Sequence, residues 1–142
     1  MRGINPNEKF KNLGKITVPF GGQTEQESFH PGVDLAAGEG TPIHAPVDGV
    51  VVKNDEGHVS GENNFGNTLE IKDVEGNIHQ FHHLQGSPMK PGQIVKKGQS
   101  VATLGKSGAV YSPTGGDPSN LDYRIVSSYN KYINPTPYID KL

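Results

Sequence analysis

No cysteine occurs in the 142 residues, which excludes a disulfide framework, a thiolate metal site and a cysteine nucleophile. Any metal has to be held by histidine, aspartate and glutamate. Tryptophan is absent as well, and hydrophobic residues make up only 32% of the chain. No stretch approaches the ~18 consecutive apolar residues of a membrane span. An excess of one charge is also missing: the net charge is -2 and the pI near 6.3, with no run of about five or more like charges, so nucleic acid is not an expected partner. The first residues, MRGINPNEKFKNLGK, lack the apolar core of a secretory signal. Export is therefore expected to rest with another factor, or the chain to be a domain excised from a larger protein.

Glycine (19) and proline (11) are abundant. Together with the low hydrophobic content they predict short strands and many tight turns in place of long helices. A chain of this length can bury roughly 70% of its unfolded surface in one core, so one domain is expected. Residues 1–15 read as an N-terminal arm or cap, because Gly3, Pro6 and Gly14 break the pattern around Ile4, Phe10 and Leu13. From Ile16 onward the reading is a strand (ITVPF), a Gly-rich loop, a short strand (HPGVDLA), a turn, and a β-branched run bent at Asp48-Gly49. A polar loop then precedes a hairpin whose turn signal is Glu75-Gly76-Asn77, and KPGQIVKKGQSVATLG reads as short scaffold strands. A Gly/Pro/Ser loop opens into a last strand over about Asn120 to Val126.

Six histidines are present. His30 stands out because Asp34 follows four positions later across a Pro-Gly bend, and an imidazole with a carboxylate suits zinc, with bonds of about 2.0–2.2 Å. By itself this spacing is weak, since a surface histidine near an aspartate is commonplace. His44, His58 and His79 read as solvated or turn histidines, and Asp48 as a turn residue with Gly49.

The pair gains weight from its surroundings. FGGQTEQESFHPGVDLAAGEGTPIHAPVDGVVV resembles the opening of the lysostaphin/LytM-type zinc metalloendopeptidases: a loop, a His-x-Gly-x-Asp segment, a Gly-Thr-Pro turn and an Ala-x-x-Asp-Gly strand pair. GNTLEIKDVEGNIHQFHHL resembles the strand pair that ends in the family's aromatic-x-His-Leu, and PGQIVKKGQSVATLGKSG its twin Gly-Gln segment leading to Gly-x-Ser-Gly. The match runs from Ile16 to Ile139. It implies a mainly β, compact antiparallel sheet or sandwich-like domain over residues 16–142, of the duplicated hybrid motif type, with long loops bordering a groove. It also implies that His30 and Asp34 are metal ligands and that His83 is a catalytic histidine beside the metal-bound water. Strand alternation puts His79, Phe81 and His83 on one face and His82 on the other, which argues against His82 as the functional residue.

The final family motif, Pro/Ser-His-x-His-Phe, is altered here to Ser119-Asn120-Leu121-Asp122-Tyr123. By carry-over Asp122 takes the third ligand position and Asn120 that of the second catalytic histidine. Alternation keeps Asn120, Asp122 and Arg124 on one face. A His30/Asp34/Asp122 site would carry two carboxylates, which acidify a bound water less and loosen the preference for Zn2+ over manganese or magnesium. Asn120 could not accept a proton but could donate a hydrogen bond to an oxyanion. The plainer reading of Asp122 is a carboxylate beside Arg124 on a site that holds no metal.

Two functions follow from the resemblance. One is a metal-dependent endopeptidase acting on peptidoglycan stems or cross-bridges. The other is a non-catalytic descendant that binds peptidoglycan or a protein partner, or serves as a module of a phage or envelope assembly. Either implies an extracellular, cell-envelope or virion-associated location.

Overall fold

A computed structural model of the chain describes residues 13–23, 28–110 and 116–142. Most of the N-terminal arm and parts of the Gly-rich and Gly/Pro/Ser loops read from sequence lie outside the described residues. Among the described residues there are ten strands: β1 (Ile16–Val18), β2 (Val33–Ala36), β3 (Pro42–His44), β4 (Gly49–Asp55), β5 (Asn67–Asp73), β6 (Ile78–Gly86), β7 (Ile94–Val95), β8 (Ser100–Leu104), β9 (Asn120–Val126) and β10 (Tyr132–Ile133). A 3-10 turn over Thr136–Lys141 follows. All ten join one sheet in the order β1-β2-β9-β6-β5-β4-β7, with β10 on β9 and the β3–β8 pair attached through β6. Every pairing between these strands is antiparallel. The mainly β, antiparallel architecture expected from sequence is the one observed.

The alternation of β-branched and aromatic residues explains the core. Leu121, Tyr123 and Ile125 of β9 are buried beside Phe81 of β6, Leu69 and Ile71 of β5, and Val33 and Leu35 of β2. The Phe81 and Tyr123 rings stack almost parallel at 4.9 Å across the β6–β9 pair. Leu13 also enters this core, and the Lys15 carbonyl accepts from the Ala36 amide, so packing begins ahead of β1. The Glu75-Gly76-Asn77 turn forms between β5 and β6, with Gly76 at φ 88° and Asp73 Oδ1 accepting the Glu75 and Asn77 amides. The Asp48-Gly49 bend lies between β3 and β4, and Asp48 also accepts the Lys97 amide, which ties a second turn to the first.

Two of the incidental histidines differ from the sequence expectation. His79 is fully buried: its Nδ1 lies 2.7 Å from the Tyr123 hydroxyl and its Nε2 2.9 Å from Asp73 Oδ2. The strand carries it into the core, where polar partners on both ring nitrogens offset the loss of water. His44 is partly buried, and its Nδ1 donates to the Leu142 carbonyl at 2.8 Å, fastening the chain end to β3. His58 does sit in a loop, beside Asp55 and Glu62.

Candidate metal centre

The central strands assemble the site by register. Asp34 of β2 and Asp122 of β9 are directly opposed, and antiparallel partners share a face, so the two carboxylates are cross-strand neighbours. Val33 and Leu35 point into the core, which turns Asp34 outward. His30 precedes β2, and the Pro31-Gly32 bend brings its Nε2 to 3.0 Å from Asp34 Oδ1. One ligand atom each from His30, Asp34 and Asp122 lie within 4.8 Å of one another. The three residues nominated as metal ligands therefore converge.

Strand alternation fails at the other flank. Between the pairs Leu69↔Phe81 and Asn67↔Leu84, one residue of β5 faces two of β6, the signature of a bulge. The bulged pair is His82 and His83, and His83 has φ 64°, in the left-handed region that a non-glycine residue rarely adopts. The Phe65 carbonyl accepts the His83 amide and helps hold this conformation. As a result His83 leaves the core face that His79 and Phe81 occupy. It comes close enough to Asp34 to favour that carboxylate's charge. Its Nδ1 lies 2.8 Å from the Ser107 carbonyl, and because a carbonyl only accepts, Nδ1 carries a proton, which leaves Nε2 as the nitrogen that can accept one.

His82 is opposed to Asp122 across the β6–β9 pair and stands on the site face as well. Its ring stacks on Phe65 at 4.3 Å, and its Nδ1 lies 2.9 Å from Thr68 Oγ1. Burial pushes its pKa down to about 4, so the imidazole is neutral at pH 7. Sequence alternation had separated His82 from His83, whereas the bulge sets both around Phe65.

The third flank is polar and buried. Asn120 begins β9 opposite Ala36, and its Oδ1 is enclosed with no hydrogen-bond partner among the described residues. Arg124 lies two residues beyond Asp122 on the same face. Its Nε donates to Asp122 Oδ1 and its Nη2 to Oδ2, both at 2.9 Å, a bidentate fork between side chains that are each about 5% exposed. The guanidinium rests 4.7 Å from the centre of the Phe65 ring and 5.9 Å from that of Tyr132.

The two carboxylates consequently diverge. Burial raises the Asp34 pKa, and the charge of Asp122 adds to the rise, outweighing the His30 hydrogen bond. For Asp122 burial acts in the same direction, but the fork and charge of Arg124 prevail and hold its carboxyl below the ordinary range. The donors suit a divalent ion: one imidazole and two carboxylates, none more than 4.8 Å apart, against about 3.4 Å for donors sharing a tetrahedral ion. Arg124 is the feature that sequence reading noted only as a neighbour. Its i, i+2 spacing from Asp122 was the signal that could have revealed the pair.

A family model described as "Peptidase family M23" matches residues 28–135, which contain every residue of this site. The chain is 42% identical over 91 residues to the peptidoglycan DD-endopeptidase ShyC of Vibrio cholerae, covering 63% of the chain and 20% of that protein. It is 36% identical over 99 residues to an L-Ala–D-Glu endopeptidase of Bacillus subtilis, covering 68% of the chain and 27% of that protein. The chain thus spans about a fifth to a quarter of these relatives. Among solved structures, the catalytic domain of the prophage-encoded M23 protein EnpA of Enterococcus faecalis, as its A109H mutant, superposes with a TM-score of 0.68. The sequences are 27% identical, with 87% of this chain and 89% of that one covered. With the family model spanning most of the chain and the strand order placing its motif residues together, the protein belongs to peptidase family M23.

Proposed function

We propose that this domain hydrolyses peptide bonds in bacterial peptidoglycan, with a divalent ion held by His30, Asp34 and Asp122. The observation that carries this reading is the convergence of those three donors beside His83. Zinc is the family's ion, and an oxygen-rich donor set also accommodates manganese. A divalent ion held by these residues would supply Lewis acidity toward the scissile carbonyl and an attacking water. His83, whose Nδ1 donates to the Ser107 carbonyl, directs Nε2 to serve as the proton acceptor. Asn120 cannot move a proton, but its side-chain amide can donate to the oxyanion. One relative is named a peptidoglycan DD-endopeptidase and another an L-Ala–D-Glu endopeptidase, so the proposed substrate is a stem or cross-bridge peptide and the proposed location is the cell envelope or a phage particle.

Purified peptidoglycan incubated with the protein and zinc or manganese tests this reading. New amino termini in the muropeptides, abolished by chelator and reduced about 100-fold or more by His83→Ala, are expected. If no new termini form with either metal, the endopeptidase reading fails and the altered final motif marks a binding or scaffolding domain.

A further inference from the structure

Arg124 is built into the centre and not merely adjacent to it. Its stem passes beneath the bend that carries His30 and Asp34. A Cβ on Gly32 would lie 2.6 Å from Arg124 Cγ, 2.6 Å from the Tyr123 carbonyl oxygen and 3.1 Å from Asp122 Oδ1. Only a glycine leaves room there for the arginine and its carboxylate. Gly32 has no positive φ, so the requirement is one of space. Phe65 covers the guanidinium, and the fork fixes both oxygens of Asp122.

The charges around the ion give this arrangement a consequence. One carboxylate and two neutral imidazoles would leave a divalent ion with a net charge of about +1, whereas two carboxylates cancel it. The Arg124 guanidinium, salt-bridged to Asp122, returns one positive charge. Each carboxylate oxygen keeps a second lone pair, so Asp122 can serve the guanidinium and an ion together. Two cations sharing one buried carboxylate nevertheless repel each other.

We infer that Arg124 sets the cation affinity of the centre: it shares Asp122 with the bound ion, restores the positive charge that Asp122 removes, and thereby weakens metal binding. The inference rests on the reading that His30, Asp34 and Asp122 take a divalent ion. The same guanidinium offsets one of the two carboxylate charges when no ion is bound.

The test is the zinc dissociation constant of the full chain, measured by chelator competition, for wild type, Arg124→Gln and Arg124→Lys. Removing the charge in Arg124→Gln should tighten zinc binding by about tenfold or more, while Arg124→Lys, which keeps the charge without the fork, should stay within about threefold of wild type. Binding that is unchanged or weaker in Arg124→Gln overturns the assignment and leaves the metal site itself standing. Absence of binding in wild type overturns both, whatever the variants bind. Should Arg124→Gln fail to fold, the wild-type Arg124 Nε–H resonance decides. It should shift in step with zinc occupancy, and a resonance indifferent to zinc overturns the inference.

Discussion

Replacing His82 with glutamine should flatten the acid side of the domain's stability curve. Burial holds the His82 imidazole down to about 4 from an ordinary 6.5; Arg124 adds to the lowering and Asp122 opposes it. Between those two values the unfolded chain takes up a proton that the folded chain refuses, so stability falls as pH falls. Relative to pH 7, the linkage amounts to a loss of about 1.2 kcal/mol at pH 5.5 and about 3 kcal/mol at pH 4. The residue is only 5% exposed, so solvent screening removes little of this. Urea unfolding of metal-free wild type and His82→Gln across this range provides the assay, and the difference between the two curves isolates His82 because Asp34 and the other carboxylates titrate in both. A difference that stays constant within about 0.5 kcal/mol from neutral pH to about pH 4 would refute a neutral, buried His82.

Other substitutions probe the supports of the centre. Gly32→Ala forces a methyl against the Tyr123 carbonyl and the Arg124 stem and should destabilise the domain by about 1–3 kcal/mol, read from the urea midpoint; an unchanged midpoint contradicts the packing described. Phe65→Ala uncovers both His82 and the Arg124 guanidinium, and the His82 pKa should rise towards 6.5 in an NMR titration; a value that stays near 4 would assign the burial to other residues. Tyr123→Phe leaves the buried Nδ1 of His79 without its hydroxyl partner and should cost about 1–3 kcal/mol in urea unfolding, with no loss marking the hydrogen bond as dispensable.

Regular strands made much of this legible in the sequence. In β9 the alternation of Leu121, Tyr123 and Ile125 with Asn120, Asp122 and Arg124 holds because the strand is paired on both sides without a break in register. The same rule misleads in β6. It groups His83 with His79, which is buried in the core, although the family pattern places His83 at the active centre. Those two readings conflict, and the bulge at His82–His83 resolves them by inserting one extra residue, a tertiary event with no glycine to announce it. The residue types nominated for the centre were legible because the His30-Pro-Gly-Val-Asp34 bend is local. The cover of Phe65 over the Asp122–Arg124 fork was not, since it depends on a loop folding over β9. His79 was misread for a similar reason: its partners Asp73 and Tyr123 come from a turn and a distant strand.

The central claim is that His30, Asp34 and Asp122 form one cation site. Metal analysis of wild type and Asp34→Ala after zinc or manganese is supplied and excess removed tests it most directly. The account predicts about one equivalent of ion in wild type and a loss of most of it in Asp34→Ala. A wild type that retains no stoichiometric metal, or an Asp34→Ala variant that retains as much as wild type, would contradict it.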